Sequence, residues 1–368
     1  MDLPSVRRPA CLCASAVRDV KKVARRAGRE FLPARAHHKK AAIVVRGIMS
    51  LYRNALFFLK GIHEFTREGY DVASASFMSK DLEVNVSGKS FMITGANSGI
   101  GKAAAIEIAK KGGTIHMVCR HRDRALEAKD EIVKLSGNEN IFVHVLDMSE
   151  TSKVWQFAEN FKKDHTTLDV LINNAGCMVH PRQVTKEGLE LNFATNTLGT
   201  YVLTTCLITV LEKSEEPRVI TVSSGGMLVQ KLELGDLQSE KGPYDATMVY
   251  AQNKRQQVVM TEQWAKMKTN IHFSVMHPGW ADTPAVRMAM PEFYRFMKAK
   301  LRSPEQGADT IVWLAVSKAA ISHPSGLFFQ DRTAVSAHLP LAWTRLLPGE
   351  GEAFMETLQL LINHCTVL

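Results

Sequence analysis

Phe91-Met92-Ile93-Thr94-Gly95-Ala96-Asn97-Ser98-Gly99-Ile100-Gly101-Lys102 runs from a short apolar stretch through three glycines into Ala103-Ala104-Ala105-Ile106-Glu107-Ile108-Ala109, a strong helix former. Strand, glycine turn and helix in that order bring free backbone N–H groups and the positive end of a helix dipole to one spot, which suits a phosphate. Gly95 allows the tight turn, Gly99 lets a pyrophosphate approach the backbone, and Gly101 lets the helix pack closely on the strand. Asn97, Ser98 and Ile100 complete the candidate cradle. The spacing is Gly-x-x-x-Gly-x-Gly, not the Gly-x-Gly-x-x-Gly of the general dinucleotide fingerprint. Its weight therefore rests on the residues downstream.

Beyond Lys102 strand and helix patterns alternate regularly. Apolar, β-rich runs stand at 90–94, 114–119, 141–146, 169–173, 217–223, 271–276 and 326–330, and helical stretches at 100–111, 123–135, 150–164, 186–211, 245–268 and 304–318. Such alternation predicts an α/β fold: a doubly wound Rossmann sheet of about seven parallel strands in the order 3-2-1-4-5-6-7, with ligand at the strands' carboxyl ends. This domain is expected over 88–332. It is preceded by a basic extension (1–48) and an amphipathic helical segment (49–87), and followed by a C-terminal extension (333–368) that holds an apolar helical run from Phe354 to Ile362.

The formal charge of +9 points at first to nucleic acid, but its location excludes that reading. Twelve of the 46 Lys and Arg and three of the 37 acids fall within residues 1–48, so the rest of the chain carries 34 of each. The folded body has no basic field. Cys11, Cys13, Cys119, Cys177, Cys206 and Cys365 lack metal-ligand spacing, so free thiols in a reducing, cytoplasmic setting and no metal site are expected. No run of 18 apolar residues or secretory h-region is present. The Arg-rich, acid-poor tail reads either as a disordered extension or as an organelle transit peptide, which would send the protein to mitochondria. Leu51, Ala55, Phe58, Leu59, Ile62 and Phe65 recur at helical spacing. That stripe either packs on the domain or makes peripheral membrane contact through residues 51–65.

The strand ends carry chemistry. After the second run, Arg120 and Arg122 stand where a dinucleotide fold selects its cofactor; a guanidinium fork there suits the 2′-phosphate of NADP over NAD, and Lys102 adds charge nearby. After the third, Asp147 is placed either to accept from an adenine amino group or, with Ser149, to cap the next helix. The fourth ends Asn173-Asn174-Ala175-Gly176: the amides replace backbone partners where the sheet splays, and the small residues let a ribose lie close. The fifth ends Ser223-Ser224, and Tyr250 and Lys254 come one turn apart on one helix face. A lysine beside a phenol is expected to draw its pKa down toward neutrality and make Tyr250 a proton donor or acceptor, with Ser224 holding the substrate oxygen and Lys254 also reaching the nicotinamide ribose.

Over about residues 88–330 these motifs resemble the short-chain dehydrogenase/reductase family. The glycine turn is similar to that family's cofactor turn, Asn173–Gly176 to its Asn-Asn-Ala-Gly motif, and Pro278-Gly279 with Thr283 to its nicotinamide-side loop. Asn196, Ser224, Tyr250 and Lys254 match its catalytic tetrad, which implies that Asn196 orders a relay water. The 26-position gap from Ser224 to Tyr250 and the stretch Asp236–Lys241 resemble its retinol-dehydrogenase-like branch. The resemblance implies an NADP-dependent carbonyl reductase or alcohol dehydrogenase with a small apolar substrate of retinoid, steroid or lipid type, and a homodimer paired through helices. It also implies a substrate cover after Thr283, where Met288, Met290, Phe293, Phe296 and Met297 either line the pocket or pack into the core. The rival reading is a catalytically silent NADPH-binding scaffold or redox sensor.

Overall fold

A computed structural model describes residues 51–365; the tail 1–48, with both readings of it, lies outside the described residues. Ser90–Thr94 (β1) is apolar on both faces, and a strand of that kind needs cover above and below. It pairs in parallel with Thr114–Cys119 (β2) on one side and Val170–Asn173 (β4) on the other, with Ile93 opposite both Met117 and Ile172. Ile141–Val145 (β3), Arg218–Val222 (β5), His272–His277 (β6), Leu327–Gln330 (β7) and Thr333–Val335 (β8) complete one sheet in the order β3-β2-β1-β4-β5-β6-β7-β8.

The eighth strand is the addition to the expected seven. It returns antiparallel to β7 through Asp331 and Arg332, both left-handed at φ 49° and 55°. Two residues with positive φ match the turn that best joins twisted strands, but this pair is not the usual Asn-Gly. Two ion pairs hold it instead: Asp331 to Arg302, and Arg332 to Asp309 at 2.6 Å.

Helices Gly99–Lys110 (α3), Arg122–Ser136 (α4) and Pro304–Val316 (α10) cover one face. Ala103, Ala104 and Ala105 are buried, and their small side chains let α3 and α10 approach closely. Thr151–Asp164 (α5), Leu191–Leu211 (α6) and Ala246–Met267 (α7) cover the other. α6 is long and apolar enough to cross a membrane, yet 78% of its most apolar window is buried inside the protein. It begins at Leu191, not 186. The residues before it fold back on themselves, with Thr185 N–H donating to Leu189 O (2.8 Å), and the buried Glu190 carboxylate caps the helix by accepting from Asn192 and Phe193 N–H.

The final helix, Glu350–Cys365 (α11), gives the C-terminal extension its role. Phe354, Leu358, Leu361 and Ile362 join the core that α6 and α7 share, and Tyr201 donates to Gln359 Oε1 at 3.2 Å. α11 thus covers apolar surface on α6 and α7.

At the other end, residues 51–60 form a helix that continues through the π turn Gly61–Phe65 (α1, 51–65), and the short helix Arg67–Ser74 (α2) follows. Phe65 is fully buried, with Leu56 and Phe57 packed on the same cluster, while Leu51, Phe58 and Leu59 are 74%, 45% and 64% exposed. Both readings of the stripe therefore keep a part: one side packs, and the other faces out. Gly61 makes the packing close, since a Cβ there would fall 2.3 Å from the Trp280 ring.

Candidate active site

Strands β1 to β6 deliver their carboxyl ends to one cleft, roofed by Pro284–Ala289 (α8) and Pro291–Met297 (α9). Gly95, Asn97, Ser98, Gly99, Ile100, Gly101, Arg120, Asp147, Asn174, Ala175, Gly176, Ser224, Tyr250, Lys254, Pro278, Gly279 and Thr283 all line it. Two expected residues do not: Arg122 and Asn196.

In the glycine turn Gly95 and Gly99 have φ of 69° and 53°, the left-handed region where a side chain is strained. Ser98 occupies the N-cap of α3 but makes no capping hydrogen bond with its side chain. The first N–H groups of α3 thus lack a side-chain partner. Thr283 stands opposite, where a Cβ on Gly99 would come within 3.1 Å of its Cγ2. Bare backbone at a helix N-terminus, facing a small hydroxyl residue, fits a pyrophosphate. Gly101 permits close packing, as expected, but against an amide: its Cβ would lie 2.4 Å from Asn174 Nδ2. Asn174 stitches β4 to β1, its Nδ2 donating to Thr94 O (2.8 Å) while Thr94 Oγ1 accepts from the N–H groups of Asn174 and Ala175.

The cofactor-selecting corner holds Arg120, His121 and Arg124. Arg120 precedes α4 and Arg124 is the third residue of that helix; both line the cleft, whereas Arg122, the first residue of the helix, does not. Lys102 pairs with Glu131 on α4 at 2.7 Å, which removes it from the cradle. Asp147 lines the cleft and also closes a local turn, accepting from Ser149 N–H and Oγ–H at 2.9 and 2.8 Å. Neither residue caps α5. That task falls to Glu187, whose carboxylate accepts from Thr151 and Ser152 N–H across 36 and 35 positions.

Tyr250 and Lys254 face the cleft from α7, with Lys254 Nζ 5.4 Å from the centre of the phenol ring. Lys254 is buried and Tyr250 half-buried at the cleft wall, and burial disfavours a charge on either. It pushes the Tyr250 phenol up to about 12, with the Cys177 thiol adding to the rise and a Ser224 hydrogen bond opposing it. It brings the Lys254 ammonium down to about 7. The phenol is therefore not drawn toward neutrality as expected: burial is the largest cause acting on each of the two groups.

Asn196 sits behind the cleft, within the π turn Ala194–Leu198 of α6. Its side chain clasps the loop after β4, accepting from Cys177 N–H and donating to Cys177 O, both at 2.8 Å, and reaches Asn253 Oδ1. Its main-chain carbonyl accepts from Gln257 Nε2 at 2.7 Å.

The cover divides. Met288, Met290 and Phe293 line the cleft, Met297 is buried in the core, and Phe296 is 78% exposed. Cys177, Met178 and Trp280 add to the apolar wall without any sequence motif to announce them. Trp280 is placed by the arm: its N–H donates to Phe65 O at 2.7 Å, and its ring meets Phe65 and Phe293 edge-on.

A family model described as short chain dehydrogenase matches residues 89–292. Over 311 residues the chain is 61% identical to the cattle (Bos taurus) protein dehydrogenase/reductase SDR family member 12, covering 84% of this chain and 98% of that one. Retinol dehydrogenase 12 of Homo sapiens is 34% identical over 259 residues, 69% of this chain and 81% of its own. Among solved structures, an uncharacterised protein from Mycobacterium paratuberculosis superposes with a TM-score of 0.61 at 26% identity, over 76% of this chain and 95% of its own. A short chain dehydrogenase from Shigella flexneri complexed with NADP gives a TM-score of 0.54 at 21% identity, over 69% and 100%.

Proposed function

The chain belongs to the short-chain dehydrogenase family, and on that footing we propose that it is an NADP-dependent oxidoreductase that reduces the carbonyl group of an apolar compound. The observation that carries this is the shared cleft: a phosphate cradle, two arginines at the ribose corner and a Ser224–Tyr250–Lys254 group all open onto one space walled by Met288, Met290 and Phe293. A silent binding scaffold would need the cradle but not that group.

Bound NADPH supplies the hydride from nicotinamide C4. The α3 N-terminus and Thr283 hold the pyrophosphate, and Arg120 and Arg124 hold the 2′-phosphate. Ser224 Oγ–H donates to the substrate carbonyl oxygen and polarises it. Tyr250 gives that oxygen its proton, and the Lys254 ammonium stabilises the phenolate left behind. The methionines of the cover accept apolar shapes of several kinds, retinoid, steroid or lipid aldehyde among them. Peripheral membrane contact belongs to the same reading. Leu51, Phe58 and Leu59 on α1 face outward, as do Met288 and Phe296 on the cover, and Phe58 reaches the cover through Trp280 and Phe293, so an apolar substrate would enter from a lipid surface.

The test is a fluorescence titration of the full chain with NADPH and NADH, followed by reduction of a panel of apolar aldehydes and ketones. Tight binding of NADPH over NADH with turnover of at least one panel member supports the proposal. Cofactor binding without turnover by any panel member would favour the scaffold.

A further inference from the structure

Gln257 lies one turn beyond Lys254 on α7 and is completely buried. Its carboxamide oxygen accepts from Lys254 Nζ at 3.0 Å, and its nitrogen donates to the main-chain carbonyl of Asn196 at 2.7 Å. The direction of the amide is fixed by its neighbours. Turned over, it would set an NH2 against an ammonium and an oxygen against a carbonyl, two repulsions in place of two hydrogen bonds. Lys254 Nζ also donates to Val222 O at 2.8 Å, at the end of β5. An ammonium has three N–H groups, so two are committed to the protein and one is left for the cleft.

We propose that Gln257 is a positioning residue for Lys254: it ties the ammonium to the Asn196 carbonyl and thereby sets both the direction and the charge of the lysine. This rests on the oxidoreductase reading only in that Lys254 acts on Tyr250 and the cofactor. The π turn at Ala194–Leu198 is the other half of the device. A π turn holds one residue more than an α turn and breaks the regular ladder of carbonyls, and here it presents Asn196 to two different clients. The Asn196 side chain holds Cys177, and its carbonyl holds Gln257. The loop that forms the substrate wall and the lysine that charges the site are therefore referred to one residue.

The chemical reason such a tie is needed lies in the burial of Lys254, which is 2% exposed. A buried ammonium survives only while carbonyl oxygens replace its water. The titratable groups that face it are Tyr250 on its own helix and Cys177 from the loop after β4, and neither is a permanent anion. Val222 O and Gln257 Oε1 are the acceptors that remain. Loss of one shifts Lys254 toward the neutral amine, which cannot stabilise a phenolate.

The experiment tracks the pH titration of Lys254 itself in the full chain, using the 13Cε signal of labelled lysine, assigned by its disappearance in Lys254→Met. Gln257→Met removes the acceptor at nearly constant volume, and Gln257→Glu keeps it and adds charge. The midpoint is expected to fall by about one pH unit or more, tenfold in the protonation equilibrium, in Gln257→Met. It is expected to rise in Gln257→Glu. A midpoint unmoved in both folded variants overturns the proposal, because a role in packing alone would not touch it. If Gln257→Met does not fold, Gln257→Glu decides: a rise supports the proposal and no change overturns it. NADPH titration of the unaltered chain, run alongside, reports separately on the oxidoreductase reading.

Discussion

Arg302 and Asp331 form a buried two-point ion pair, with Nη1–Oδ1 at 2.6 Å and Nη2–Oδ2 at 2.9 Å, that binds the nicotinamide-side loop to the N-terminal arm. The same guanidinium donates through Nε to Thr66 O and through Nη2 to Glu64 O, and its aliphatic stem lies against Gly279, where a Cβ would come within 2.5 Å of Arg302 Cδ. Gly279 has φ 74°, so this turn depends on both the missing side chain and the clamp. The N-terminal segment thereby supports the active-site wall from behind, although the family model begins only at residue 89.

Asp331→Ala leaves the Arg302 charge buried with no carboxylate partner. Breaking one side of such a pair costs about 3–5 kcal/mol. Urea unfolding is expected to show a loss of that order, and NADPH affinity should drop with it because Gly279 and Thr283 lose their support. Asp331→Ala with unaltered unfolding would mean that the clamp contributes nothing.

The strands and most helices were legible because a parallel sheet needs long apolar runs and its crossover helices need amphipathic ones. Each of those patterns is local. The features that were not legible depend on partners distant in the chain. The eighth strand hangs on Asp331 and Arg332, whose turn is held by Arg302 and Asp309. The late start of α6 and the cap of α5 rest on Glu190 and Glu187, carboxylates that look like surface residues until their loops fold back. The tetrad was legible as residue types but not as charge states, since burial of Tyr250 and Lys254 arises only in the assembled cleft. Arg124 carried no such signal: Arg120 precedes α4, and which arginine of the first turn meets the cleft depends on where the helix starts after His121.

On the proposed function Arg120 and Arg124, which line the cleft, carry the choice of cofactor, and Arg122, which does not line it, has no part in it. A hydrogen bond to a charged group contributes about 1.5–3 kcal/mol, so Arg120→Ala and Arg124→Ala should each weaken NADPH binding roughly tenfold or more. NADH, without the 2′-phosphate, should bind as before. Arg122→Ala should change neither. Fluorescence titration of the three variants with both nucleotides checks this, and an effect confined to Arg122→Ala would reverse the assignment.

His116, His144 and His165 gather at the open edge of the sheet, with His116 Nδ1 3.0 Å from His144 Nε2. Burial, and after it the two histidine neighbours, brings His116 down to about 3, and burial also lowers His144. His116 is therefore neutral in the folded chain at pH 5, where an unfolded histidine has taken up a proton. The unfolded state binds more protons across that window, so stability is present above about pH 6.5 and is lost as pH falls below it. At pH 5 the share from His116 is about 2 kcal/mol. His116→Leu should lose less stability than the unaltered chain between pH 7 and pH 5 in urea titrations. Equal losses would show that another group governs the acid limb.

On the proposed mechanism, the pH dependence of each direction of the reaction follows the state of Tyr250. A phenol held up to about 12 keeps its proton throughout the physiological range, and a protonated phenol is the form that reduction of a carbonyl requires. Oxidation of an alcohol requires the phenolate, which is scarce until the pH approaches that value. As far as Tyr250 alone is concerned, carbonyl reduction should stay level on the alkaline side of neutrality, while alcohol oxidation should climb about tenfold per pH unit. Lys254 sets the other limit. Its ammonium stabilises the phenolate formed in reduction, so reduction should weaken as pH rises through about 7, unless bound NADPH, with its phosphates, keeps the lysine charged. A reduction profile that holds to pH 9 would mean the cofactor does so; one that falls from pH 7 would mean that the protein alone fixes the lysine. Tyr250→Phe should abolish both limbs, with a loss of about 100-fold or more, at nearly unchanged NADPH affinity. Turnover in Tyr250→Phe close to that of the unaltered chain would remove Tyr250 from the mechanism.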